Sequence, residues 1–225
     1  MASILPVIHY RSDELCVEAA RLAFEAGCPG VFLIHMGGYD RLLDGPAVAI
    51  KSRWPEKFVG TNRLAMAAPA AIRHDASLGL DGTWSDAPGI NTTRMGDLAP
   101  VEAAFADARA RHPAFAFFAS VAFKYQAREP DPPRAAAVAL AKGWVPTTSG
   151  AATGVAADMG KLAAMRAALG AAAPLAVASG VTPENVEAHL DHVSHVLVAT
   201  GVSFPGSEDF DPARLSALVA AARRA

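Results

Sequence analysis

Nine polar or ionisable side chains stand where short apolar runs end: His9, His35, Asn62, Asp86, Lys124, Thr148, Ser149, Ser179 and Thr200. The runs are apolar inside, so their polar ends are the anomaly. Asp86 and Lys124 carry the most chemistry. A carboxylate and an amine facing one ligand form an acid/base pair, and a desolvated lysine can also hold an anion or form a Schiff base. His9 and His35 offer acid/base chemistry near neutral pH. No Asp or Glu accompanies them at the first two run ends, so no metal site is expected, and no cofactor motif is present.

Anion binding is written into three later turns. Ala178-Ser179-Gly180-Val181-Thr182 and Val198-Ala199-Thr200-Gly201-Val202-Ser203 each follow an apolar run with a small residue, a glycine and hydroxyls. Glycine lets a backbone approach closely and leaves N–H groups available, and hydroxyls add donors. A helix N-terminus nearby would add partial positive charge. The turn 147–154, TTSGAATG, adds Thr148 and Thr153 within a run of four hydroxyls and two glycines. Together these residues predict a phosphate site at Ser179, Gly180, Thr200 and Gly201. Asn62, Thr148, Thr153, His9 and His35 would orient the rest of the ligand.

The elements that must position them repeat along the chain. Apolar, β-favouring runs cover 4–9, 30–35, 57–62, 80–86, 115–123, 144–149, 174–179 and 195–200. Helix signals lie between them. Ser12 precedes LCVEAARLAFEAG, Asp131-Pro132-Pro133 precedes RAAAVALAKG, and Asp158 precedes KLAAMRAALG. Thr182-Pro183-Glu184 and Asp211-Pro212 pair a cap residue with proline at the first helical position. Pro69 and Asp97 open two more helices, and 46–54 carries the weakest signal. Eight strands, each followed by a helix, predict an α/β fold: a closed, parallel (β/α)8 TIM barrel spanning residues 1–225 as one domain. The rival open sheet would want a glycine-rich turn after an early strand, and the first turn, HYRSDE, has none.

Composition agrees. The 225 residues are 52% apolar and 19% charged, with 20 Lys and Arg against 22 Asp and Glu. That balance excludes a disordered chain and a basic nucleic-acid binder. The longest apolar stretch, FAFFASVAF, has nine residues, and a membrane helix needs about 20. The N-terminus shows no basic segment before its apolar stretch, so a cytoplasmic protein is expected. Cys16 and Cys28 read as reduced core thiols. His112, His189, His192 and His195 read as structural or solvated residues on helices or linkers. The alanine-rich faces 135–141 and 217–222 offer a route to a homo-oligomer, although helix propensity explains them equally well.

The second half of the chain resembles the BtpA/SgcQ family of phosphate-binding barrels. The resemblance rests on FFASVAFKYQ (117–126), TTSGAATGVAADMGKLAAMRAAL (147–169), PLAVASGVTPENVEAHL (174–190) and VLVATGVS (196–203). The family has a similar lysine after its fifth strand and similar glycine-containing turns after its sixth, seventh and eighth. In the first half, Ile8-His9 and Gly60–Asn62 are similar. The family's acidic residue and asparagine after strand two are replaced around His35-Met36-Gly37, and Asp86 stands near an asparagine. The resemblance implies a ribulose-phosphate-binding type of barrel without naming a reaction. Asn62 stands where an epimerase would place a metal-binding histidine. His9 stands where phosphoribosylanthranilate isomerase wants cysteine, and the D-x-K-x-x-D cluster of orotidine-phosphate decarboxylase is absent. The expectation is an enzyme, an isomerase or lyase, acting on a small phosphorylated sugar or nucleoside-like compound. The rival is a non-catalytic assembly or regulatory factor that keeps a phosphate site.

Overall fold

A strand enclosed on both faces must be apolar on both, which is why the eight runs show no alternation. The computed structural model describes residues 2–224. Its elements are β1 (Ser3–His9), α1 (Asp13–Glu25), β2 (Gly30–Ile34), α2 (Asp44–Arg53), β3 (Phe58–Asn62), α3 (Ala68–Ser77), β4 (Gly82–Ser85) and α4 (Ala99–Arg111). They continue with β5 (Ala116–Ser120), α5 (Pro132–Ala141), β6 (Val145–Ser149), α6 (Met159–Leu169), β7 (Ala176–Ala178), α7 (Val186–Leu190), β8 (His195–Val198) and α8 (Pro212–Arg224). Adjacent strands pair in parallel and β8 returns to β1, so the sheet closes into a (β/α)8 TIM barrel. Among the described residues, no helix is long and apolar enough to cross a membrane.

Half of the helix entries, those of α1, α5, α6 and α8, follow local capping chemistry. Ser12 Oγ accepts from the Leu15 N–H at 3.2 Å, Asp158 from Lys161 at 2.7 Å and Asp211 from Ala213 at 2.9 Å. The weak 46–54 signal belongs to α2, entered through a 3₁₀ turn at Asp40–Leu43. The helix expected from Thr182 starts later, at Val186. Asn185 is the reason: its amide accepts from the Thr182 N–H and donates to the Gly180 carbonyl, both at 2.8 Å, so the segment is held as a turn. His195 is no linker residue. It opens β8, meets the Phe118 ring edge-on at 5.3 Å, and burial lowers its pKa to about 4.

Two apolar layers hold the barrel. Outside it, helix faces such as Cys16, Ala20 and Ala23 of α1 pack against the strands. Ala135, Ala136, Ala139, Ala221 and Ala222 are buried in that layer, so these alanines serve packing within the chain. Cys16 and Cys28 are unpaired and buried, and desolvation pushes their thiols up to about 11 and about 12. Inside the barrel, Phe32 meets Phe58, Trp84 and Phe118 at 5.3, 6.0 and 5.0 Å between ring centroids. Gly60 makes room for this cluster, since a Cβ there would lie 2.5 Å from the Phe32 ring. By contrast β7 and β8 give the interior Ala176, Ala178 and Leu197, with Ala199 just beyond. Rings fill the β2–β5 side, and the small residues opposite leave space.

A buried ionic network braces one side. Asp75 on α3 accepts from Thr61 Oγ1 on β3 at 2.8 Å, Thr83 Oγ1 on β4 at 2.6 Å and Arg63 Nε at 2.7 Å. The Arg63 guanidinium also reaches the Asp40 carbonyl at 2.6 Å and Asp44 at 2.8 Å. Asp40 in turn accepts the N–H groups of Ala65 and Met66, both at 2.9 Å. These bonds lock the loops after β2 and β3 to the barrel.

Candidate active site

Strand ends and the loops after them form the C-terminal mouth, where barrel enzymes place their chemistry. The cavity there has a volume of about 270 Å³. Val7, Ile34, Trp84, Ala178 and Leu197 line its apolar part, and Asn62, Asp86 and Lys124 bring polar atoms to it. The Trp84 indole N–H donates to Ser120 Oγ at 2.9 Å, which holds the ring.

Lys124 does not end a strand. β5 stops at Ser120, after which Val121 N–H donates to the Thr147 carbonyl at 2.8 Å and the chain turns away. Ala122 and Tyr125 in this turn, and Ser179 opposite, have φ of 48°, 64° and 72°. Left-handed backbone is disfavoured for side-chain-bearing residues and collects where surrounding structure imposes it. Here the imposition is visible. The Lys124 N–H donates to Ser149 Oγ at 2.9 Å, and Lys161 Nζ donates to the carbonyls of Ala122 and Ser149 at 3.2 and 2.5 Å. Gln126 accepts from the Phe123 N–H at 3.1 Å and donates to the Asp86 carbonyl at 2.5 Å. The ammonium of Lys124 then donates to Ser179 Oγ at 2.8 Å and Thr153 Oγ1 at 3.2 Å.

Asp86 follows β4 directly and accepts from Asn62 Nδ2 at 3.1 Å. Desolvation raises its pKa, against the opposing effects of the Asn62 bond and the Lys124 charge. Desolvation lowers the pKa of Lys124, against the attraction of Asp86. Both groups therefore move toward neutrality, the range useful for proton transfer. Asp86 accepts from a neutral amide and Lys124 donates to neutral hydroxyls, and the two do not bond each other. Asn62 is fully buried and its Oδ1 lacks a hydrogen-bond partner. A donor on a ligand would satisfy it.

Toward β7 and β8 the cavity continues along Thr153, Gly154, Ser179, Gly180, Thr200 and Gly201. An adjoining cleft is lined by Gly154, Gly180, Thr182, Thr200, Gly201, Ser203, Pro205 and Arg214, so Gly180 and Gly201 are neighbours and no carboxylate is among these residues. Both glycines are sterically required. A Cβ on Gly180 would lie 2.2 Å from the Ala156 nitrogen, and one on Gly201 1.9 Å from the Val181 carbonyl oxygen. Thr200–Val202 form a short 3₁₀ helix whose bonds are donated by Val202 and Ser203, to Ala199 at 2.9 Å and Thr200 at 3.3 Å. The N–H groups of Thr200 and Gly201 thus have no partner within that helix. Arg214 on α8 supplies positive charge. Its Nε donates to the Gly201 carbonyl and its other arm to Glu184, both at 3.1 Å. Gly201→Ala is expected to push the turns after β7 and β8 apart, at a cost of about 1–3 kcal/mol. A melting temperature equal to wild type would contradict that packing.

Nine of the eleven residues expected at the site line this cavity: His9, Asn62, Asp86, Lys124, Thr153, Ser179, Gly180, Thr200 and Gly201. His9 Nδ1 also meets Glu208 at 2.8 Å. Thr148 and His35 stand elsewhere, for one reason. Neighbouring strand residues face opposite ways. Val145 and Ile34 pack with the interior cluster, so Thr148 points outward and bonds the Ala122 carbonyl at 3.1 Å. His35, one position past Ile34, has its ring against Tyr10 and Tyr39 at 5.4 and 5.1 Å, and its Nδ1 accepts from the Gly37 N–H. Arg214, Gln126 and Lys161 went unnoticed in the sequence, because ordinary helix and loop positions carry no motif. Among the described residues, no three His, Cys, Asp or Glu side chains converge as metal ligands would.

No established protein family matches this chain, and no curated protein does. Solved structures do resemble it. A native KDPGal structure superposes with a TM-score of 0.73 at 15% identity, over 98% of this chain and 94% of that one. 3-Hexulose-6-phosphate synthase gives 0.70 at 19%, over 97% and 99%. Phosphoribosyl anthranilate isomerase from Thermus thermophilus gives 0.69 at 16%, over 99% and 98%. At these identities the likeness establishes the TIM-barrel fold that this chain shares with them.

Proposed function

We propose that this chain is an enzyme of the BtpA/SgcQ type that acts on a small phosphorylated compound, a sugar phosphate or nucleoside-like phosphate, by isomerase or lyase chemistry. The observation that carries the reading is one cavity that holds an ionisable pair beside an anion cradle. Lys124 and Asp86, partly withdrawn from water and not bonded to each other, both line it, Asp86 bonded to Asn62 and the Lys124 ammonium to Ser179 Oγ. Gly180, Gly201 and the hydroxyls of Ser179 and Thr200 form the cradle, backed by Arg214. In this reading the loops after β7 and β8 and the short 3₁₀ helix hold the phosphate, an arrangement recurrent in TIM barrels. Asp86 and Lys124 exchange protons with the carbon skeleton, and Asn62 orients it. The names of two structural neighbours, a hexulose-phosphate synthase and a phosphoribosyl isomerase, are consistent with such a ligand. The unpaired, buried cysteines suit a reducing compartment, and the cytoplasm is the proposed location.

Millimolar inorganic phosphate or a sugar phosphate is expected to raise the melting temperature. A ligand at one hundred times its Kd stabilises by about 2.7 kcal/mol, and for a chain of this size each kcal/mol is worth roughly 2–4 °C. Differential scanning fluorimetry reads this directly. No shift with either ligand, together with no bound phosphate compound by native mass spectrometry, overturns the reading.

A further inference from the structure

We propose that the ligand carries an apolar, ring-like group at the end remote from its phosphate, rather than an open polyhydroxylated chain. This rests on the phosphate site proposed above and names the substrate class more narrowly. The barrel closes in the order β1 to β8, so β2 and β3 stand across the mouth from β6 and β7. The groups suited to phosphate come from the β5–β8 side: the Lys124 ammonium, with Thr153, Ser179, Gly180, Thr200 and Gly201. The opposite side contributes Ile34 and Met36 from β2 and its loop, and Asn62 and Leu64 from β3 and its loop. Only Asn62 is polar among those four. Trp84 adds an aromatic side chain from β4, and Asp86 just past that strand and His9 from β1 are the other polar groups near this wall.

Met36 and Leu64 are notable for where they are exposed. They are 56% and 38% accessible at the rim of a cavity whose deeper apolar residues, Val7, Ile34 and Trp84, are nearly closed to solvent. Their loops are not slack. The Asp40 carboxylate accepts the N–H groups of Ala65 and Met66, and Arg63 ties the same segment to Asp40 and Asp44. The two apolar side chains are therefore presented on fixed backbone. A polyol crossing the mouth would find partners at Asn62, Asp86 and His9 but lay its outer hydroxyls against Ile34, Met36 and Leu64, which cannot bond them, and a site discriminates strongly when polar groups are left unpaired. An apolar ring would cover Met36 and Leu64 and gain from their burial.

The test measures the affinities of the full chain, by isothermal titration calorimetry, for inorganic phosphate, ribose 5-phosphate, and phenyl, benzyl and 3-phenylpropyl phosphate. The best aryl ester is expected to bind at least about tenfold more tightly than ribose 5-phosphate, the gain a hydrophobic contact of this kind brings. Met36→Ser combined with Leu64→Ser is expected to erase that gain while phosphate itself binds as before. Both positions are exposed, and circular dichroism verifies that the variant is folded. If phosphate binds but ribose 5-phosphate matches or exceeds every aryl ester, this inference fails and the phosphate site stands. If neither phosphate nor any ester binds, both fail together.

Discussion

Lys124→Met is expected to lower substrate turnover by about 10²–10⁴-fold, the range that a positioned acid or base contributes. The substitution keeps an unbranched side chain one atom shorter and removes the ammonium that donates to Ser179 and Thr153. The pH profile distinguishes loss of chemistry from loss of shape. Under the proposed reading, wild-type activity is expected to fall at low pH as the Asp86 carboxylate takes a proton, at a pH raised by desolvation. It is expected to fall at high pH as Lys124 loses its proton, at a pH lowered by desolvation. The methionine variant should lose the alkaline limb. Its residual acidic limb should also move to higher pH, because the Lys124 charge is one of the effects holding Asp86 down. Stability should move the other way. A lysine whose folded pKa is depressed binds its proton less tightly in the folded chain, so stability rises with pH through that range. Removing the ammonium is thus expected to leave the melting temperature at neutral pH unchanged or higher. Unaltered function in the Lys124→Met and Asp86→Asn variants would favour the non-catalytic assembly factor and discard the enzyme.

The largest loss of stability is expected from Asp75→Ala. Asp75 and Arg63 have side chains wholly closed to solvent, 2.7 Å apart. Removing the carboxylate leaves a buried guanidinium with its remaining partners at Asp44 and the Asp40 carbonyl, and leaves two buried hydroxyls, Thr61 and Thr83, without an acceptor. Breaking such a pair from one side costs about 3–5 kcal/mol, or a fall of roughly 2–4 °C per kcal/mol. The double variant Arg63→Met with Asp75→Leu separates burial from pairing. Two apolar residues of similar volume need no partners, so this variant should recover much of the loss. Urea denaturation of the three proteins gives the comparison. A single variant that unfolds with the wild type would mean that the network does not brace the barrel.

Much of this molecule is legible in its residue order. The eight apolar runs could be counted because a parallel barrel buries both faces of every strand, which writes each one as a continuous block. Helix starts at Ser12, Asp131, Asp158 and Asp211 were legible because a cap is a contact between residues three apart or nearer. Gly180 and Gly201 could be singled out because close backbone packing leaves no substitute for glycine.

The same double burial hid the rest. Where both faces of a strand are apolar, nothing in the residue order marks which positions look inward. His35 and Thr148 were each placed one residue from the inward-facing register, beside Ile34 and next to Thr147. Lys124 closes an apolar run in the sequence, yet it reaches the cavity from a left-handed turn held by Ser149, Gln126 and Lys161, contacts between residues up to 40 apart in sequence. Arg214 reads as one more helical arginine until α8 swings it under Gly201. Local order thus determined the barrel, its caps and its glycine turns, because those depend on neighbours along the chain. Barrel closure alone decided which side chains meet, because the inward register and the contacts across the mouth come from strands distant in sequence.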